Sequence, residues 1–168
     1  MDMDDETDNL TKVHIDLPNH WWYKGESFWA KPLGDGLFEI HNVPFCAYGL
    51  NCRDVVHATA DAPDLKPEIR SVVRRSGNKT VRIFFPEELD KEKQSLYLAE
   101  LERMDTWVER ANESVVCINI NPTADYDAVC KLLAQRETDG VLEYETCEER
   151  SPSSFDDLPD DETDNEAS

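Results

Sequence analysis

The chain has 168 residues, 39% of them hydrophobic and 9% aromatic, with 17 basic and 37 acidic side chains, so its formal charge at neutral pH is −20. That charge excludes a non-specific nucleic-acid binder, and the apolar content excludes a wholly disordered chain. No run approaches the roughly 18 apolar residues of a spanning helix, and the acidic start Met1-Asp2-Met3-Asp4-Asp5-Glu6 lacks the positive charge of a secretory signal, so a cytoplasmic protein with no membrane partner is expected.

The charge is uneven. Residues 1–10 carry five acids and no base, and residues 148–168 carry nine acids against Arg150, so both are expected to be disordered acidic tails. Residues 11–85 hold ten bases and eight acids, whereas residues 86–147 hold six bases and fifteen acids. The acidic surface therefore belongs to the second half. It reads either as a solvated face or as a field that steers a basic partner.

In chain order, residues 12–17 alternate, with Val13, Ile15 and Leu17 on one side, which predicts a first strand. His20-Trp21-Trp22-Tyr23 follows, and two adjacent tryptophans in an extended segment cannot both point inward, so the segment reads either as a loop folded over the barrel with both rings partly buried or as one that exposes a tryptophan as an interface anchor. Residues 27–30 and 37–40 flank Gly34-Asp35-Gly36 and predict a hairpin, with Trp29 assigned to the core. Pro44 then breaks the strand pattern and predicts a loop or strand edge that places Phe45 and Tyr48 inward, and residues 54–60 predict a further strand. Residues 69–75 and 80–85 surround Ser76-Gly77-Asn78-Lys79 and predict a second hairpin, on which Arg70, Arg74, Arg75, Lys79 and Arg82 would form a basic patch.

From residue 86 the period changes. Tyr97, Leu101, Met104, Val108 and Ala111 recur at helical spacing and predict one amphipathic helix through residue 113, its outer face carrying Glu102, Asp105 and Glu109. Residues 115–120 predict a central strand. Asn121-Pro122 predicts the start of a second helix ending at Gly140, and residues 141–147 a last strand. The fold class expected is α+β. An N-terminal bent antiparallel β-sheet or partial barrel, residues 11–85, joins a small β-α-β-α-β layer, residues 86–147, that shares the strand at 80–85.

Catalytic signatures are missing: there is no G-x-S-x-G, H-E-x-x-H, P-loop or G-x-G-x-x-G, so no catalytic residue and no cofactor is assigned. His41, Cys46, Cys52 and His57 lack the two-to-four-residue ligand intervals of structural zinc, and no metal is expected. Asp125-Tyr126-Asp127 lacks the glycine and final glutamate of a calcium loop. The five cysteines, Cys46, Cys52, Cys117, Cys130 and Cys147, read as reduced thiols, mostly buried.

The strings Ser27-Phe28-Trp29-Ala30-Lys31-Pro32-Leu33-Gly34-Asp35-Gly36, Ile40-His41-Asn42-Val43-Pro44-Phe45, Tyr48-Gly49-Leu50, Asp54-Val55-Val56 and Arg74-Arg75-Ser76-Gly77-Asn78-Lys79-Thr80-Val81-Arg82 resemble a bacterial family catalogued as domain of unknown function 4265. The likeness covers residues 12–147 and departs at Arg53, where family members commonly have glycine. It implies a small bacterial protein without an established activity.

Three functions are weighed. The first is a non-catalytic binding protein, an immunity protein that blocks a basic toxin through Glu102, Asp105, Glu109 and the aromatics Trp21, Trp22 and Tyr23. The second is a small-molecule- or nucleotide-binding enzyme with a pocket between the sheet and the α/β layer, using His41, Tyr48, Asp54 and Arg74. The third is a nucleic-acid mimic whose carboxylates imitate phosphates.

Overall fold

The computed structural model describes residues 9–21, 23–151 and 154–157. It divides into two compact units. The first comprises residues 1–76 and 148–168, the second residues 77–147.

The first unit is a closed five-stranded barrel: β1 Thr11–Asp16, β2 Gly25–Gly34, β3 Leu37–Ile40, β4 Val55–Thr59 and β5 Glu68–Arg74. Neighbours in chain order pair antiparallel, with Val13 opposite Phe28 and Phe38 opposite Val56. A single parallel contact, His14 opposite Glu68, closes the ring. The core holds Val13, Ile15, Phe28, Ile40 and Val56, each from the inward side of its strand. Alternation that sends Phe28 inward sends Trp29 outward, so Trp29 is exposed instead of buried, with the Lys12 ammonium 4.6 Å from its ring centroid. The bent sheet that the sequence predicts is thus fully closed.

The second unit is β6 Lys79–Phe84, α1 Lys91–Glu102, β7 Thr106–Arg110, β8 Val115–Ile120, α2 Tyr126–Thr138 and β9 Glu143–Thr146. Its sheet order is β7-β8-β6-β9 with all pairs antiparallel, the split βαββαβ arrangement. Leu98 and Leu101 of α1 and Val129 and Leu133 of α2 pack on Val81, Ile83, Ile118 and Ile120, which puts both helices on one face. Arg136 joins the helices by donating to both oxygens of Glu100 at 3.2 and 2.6 Å.

Four expectations are corrected here. The predicted helix through residue 113 stops at Glu102, and the chain turns at Asp105, φ 64°, into β7. Val108 has an apolar partner in either conformation, because a strand residue opposite Ile118 faces the same core as a helical one would. The second helix starts one turn later than Asn121-Pro122, with Asp125 as its cap, accepting from the Ala128 amide at 3.0 Å. The hairpin across residues 76–79 does not form, since β6 pairs with β8 and β9 and not with β5. Arg82 is consequently no member of a basic surface patch: it is buried, and its Nε donates to Glu145 at 2.9 Å.

The start of the expected C-terminal tail is also placed. Phe155 packs against the barrel core and Asp156 is buried, while residues 158–168 and 1–8 lie outside the described residues. Among the described residues no helix is long and apolar enough to cross a membrane. Among the described residues no cysteine is in a disulfide: Cys46, Cys52, Cys117 and Cys147 are buried and Cys130 is half-buried.

Candidate functional site

The loop between β1 and β2 carries the aromatic string. Its base is closed by the Leu17 amide on the Lys24 carbonyl at 2.8 Å and by the His20 amide on the Leu17 carbonyl at 3.1 Å. The His20 side chain is buried and its Nδ1 accepts the Tyr23 amide proton at 3.2 Å. On this support Trp21 is 58% exposed, its ring stacked on His20 with centroids 5.4 Å apart, and Tyr23 is 53% exposed. Trp22 lies outside the described residues. Two large aromatic rings are therefore held at the surface by a loop that is tied at its root.

Below Tyr23 a cleft of about 390 Å³ is walled by Glu26, Ser27, Asn42, Val43 and Phe45. Glu26 organises it: one carboxylate oxygen accepts the Phe45 amide and the other accepts Cys46 at 2.9 Å and Ala47 at 3.1 Å. Three backbone donors converging on one carboxylate fix the loop after Pro44, which explains why that loop leaves the strand pattern without losing its hydrogen bonds.

That loop delivers Tyr48 into the interior, where it is fully buried, 5.8 Å from the His20 ring. Asp54 is also fully buried. Its two oxygens accept the Asn51 amide at 2.9 Å and the Ser76 amide at 2.8 Å, and Arg75 stands 3.8 Å away. Burial raises its pKa above the usual carboxylate value, against the lowering effect of these hydrogen bonds and of Arg75. Arg74 is exposed on β5, opposite Val55. His41 Nε2 lies 2.8 Å from Glu39 and 2.9 Å from Arg53, on a half-buried side chain. The pocket quartet thus separates into two groups within the first unit: Tyr48 and Asp54 in the interior, and His41 and Arg74 nearer the surface.

The acidic trio does not share a helix face. Glu102 ends α1, Asp105 is in the following turn, and Glu109 is on β7. Asp105 accepts from Asn121 Nδ2 at 2.8 Å and from the Thr123 hydroxyl, and these bonds lower its pKa. It is a structural tie across the loop before α2, a role that a helical reading conceals.

Sequence reasoning missed His20, Glu26 and the segment 148–157. His20 was read only as part of an aromatic string, and nothing local marks Glu26, whose partners lie about twenty positions away. Phe155 was the available signal for the segment, a large apolar side chain in an otherwise polar tail.

A family model described as Domain of unknown function (DUF4265) matches residues 26–144. Among solved structures, the chain is similar to one described as "Novel crystal structure of a hypothetical protein from Neisseria gonorrhoeae", with 19% identity and a TM-score of 0.68 over 82% of this chain and 95% of that one. At this identity the likeness concerns the fold alone. No curated protein matches.

Proposed function

The chain belongs to the DUF4265 domain family, and from that starting point we propose that it is a non-catalytic binding protein of the bacterial cytoplasm that engages a basic protein, in the manner of an immunity protein against a basic toxin. The observation that carries the reading is the exposure of Trp21 and Tyr23 on a loop rooted by His20. Exposed aromatics that are already held in place bind with little loss of side-chain entropy, and such residues dominate interface energies. The net charge of −20 supports a basic partner by raising its encounter rate, an effect that salt weakens.

This reading transfers the anchoring role from the acidic trio to the loop. Glu102 is exposed at the end of α1, Glu109 is on β7, and Asp105 is occupied with Asn121 and Thr123. The test is parallel affinity capture with the wild-type chain and a Trp21→Ala/Tyr23→Ala variant. The reading expects a stoichiometric basic protein held by the wild type and lost by the folded variant. Equal retention by both chains would remove the loop from the interface.

A further inference from the structure

The chain leaves the first unit at residue 76, builds the second, and its described residues 148–151 and 154–157 belong to the first unit again. This returning segment lies beyond the family match, which ends at residue 144. Its contacts are of the kind by which proteins hold extended peptides. The Tyr48 amide donates to the Phe155 carbonyl at 2.9 Å, a main-chain bond that is independent of side-chain identity. The Phe155 side chain packs against the barrel core. The next residue, Asp156, is buried, and its carboxylate accepts the Asn19 amide at 2.8 Å. Close approach is possible because Gly49 has no side chain: a Cβ there would stand 3.1–3.2 Å from Glu149 Cβ and Cα.

The receiving side is built by residues outside the segment. Arg75 donates to the Gly49 carbonyl at 2.8 Å and stands 3.8 Å from Asp54, which in turn holds the Asn51 and Ser76 amides. Asn19 belongs to the β1–β2 loop, whose base is closed by Leu17 and Lys24. A main-chain donor, an apolar seat and a second main-chain donor are therefore presented together.

We propose that Asn19, Tyr48 and Gly49 form a binding site for a peptide carrying an aromatic residue followed by an aspartate, which the resting chain fills with its own Phe155 and Asp156. This goes beyond the partner reading above and does not rest on it. The segment in cis competes at an effective concentration of about millimolar, so an incoming peptide meets an occupied site until the segment is displaced.

The test uses the full chain carrying Phe155→Ala/Asp156→Asn and a fluorescent peptide of sequence 148–157, followed by anisotropy. The substituted chain should bind the peptide saturably and at least about tenfold more tightly than the wild type, whose site is filled. The same peptide with its phenylalanine replaced by alanine should not compete. A substituted chain with wild-type circular dichroism and a cooperative melt that binds no more tightly than the wild type overturns the proposal. Should that chain fail to fold, hydrogen exchange on the wild type decides. Exchange of the Tyr48 amide by local opening, ahead of the amides of β1 and β2, supports an exchangeable occupant, and exchange only with global unfolding overturns it.

Discussion

The Arg150 guanidinium lies 4.1 Å from the centre of the Tyr48 ring, so a charged residue from the acidic C-terminal segment is seated on an aromatic ring of the barrel. The same guanidinium reaches Asp157 at 3.1 Å, which closes the returning segment on itself. Arg150→Ala should lower stability by about 0.5–2 kcal/mol, mostly through the lost ring contact, because a partly exposed ion pair contributes less than about 1 kcal/mol. Urea denaturation at low and high salt checks this. A loss that disappears in high salt would assign the effect to the Asp157 pair instead.

Asp54 should give the protein a distinctive acid response. Its folded pKa lies above the ordinary 3.8 because burial disfavours the charge. Between those two values the folded chain binds the proton more tightly than the unfolded chain, so the contribution of Asp54 falls as pH rises through that window. Asp54→Asn removes the titration and leaves one of the Asn51 and Ser76 amides without its acceptor, at a cost of about 1–3 kcal/mol. The stability gap between wild type and variant should therefore be widest in acid and narrow as pH increases. A gap that widens with pH would mean that the hydrogen bonds outweigh burial.

Arg53 adopts φ 71° in the turn whose ends meet through the Asp54 amide and the Asn51 carbonyl. A side chain in this left-handed region is strained by about 1–2 kcal/mol, which glycine avoids. Arg53→Gly should be neutral to about 1 kcal/mol stabilising, because it relieves strain while giving up the contact with His41 at 2.9 Å. Arg53→Val should lose stability, since a β-branched residue tolerates this conformation least. Thermal melts of both variants against the wild type check this: the valine variant melting above the glycine one would remove the strain argument, and a glycine variant less stable than the wild type would place the weight on the guanidinium contacts with His41 and Glu39.

Arg53 also illustrates what a sequence read residue by residue conveys. The strands β3 and β8 are legible at their full length because period-2 alternation or a β-branched run is bounded by turn residues on both sides. The backbone angle of Arg53 is not legible, since an arginine gives no local sign of positive φ. The strand β7 was hidden because Met104 and Val108 continue the α1 spacing, and the break lies in the φ of Asp105, which composition does not reveal. At the candidate site, exposure of one aromatic was legible from Trp21-Trp22-Tyr23. The groove at Tyr48 was not, because it pairs residues more than a hundred positions apart through main-chain donors that carry no sequence signature.

Reversing charge at Glu102, Asp105 and Glu109 one at a time separates field from structure. Glu102 is exposed at the end of α1, so Glu102→Lys should change stability by less than about 0.5 kcal/mol, as surface substitutions do. Asp105 is different, because its carboxylate is bound by Asn121 and Thr123 and its pKa is lowered by those bonds. A lowered folded pKa means that its contribution is present above pH 3.8 and is lost as pH falls through the lowered value. Asp105→Lys should therefore reduce the melting temperature at neutral pH, and Asp105→Asn should reduce it less, since an amide oxygen keeps one acceptor at the same φ of 64°. The two Asp105 variants should converge on the wild type in strong acid, where its carboxylate is protonated. Equal melting temperatures for Glu102→Lys and Asp105→Lys at neutral pH would show that the tie to the loop before α2 contributes nothing, and would return Asp105 to the general acidic field.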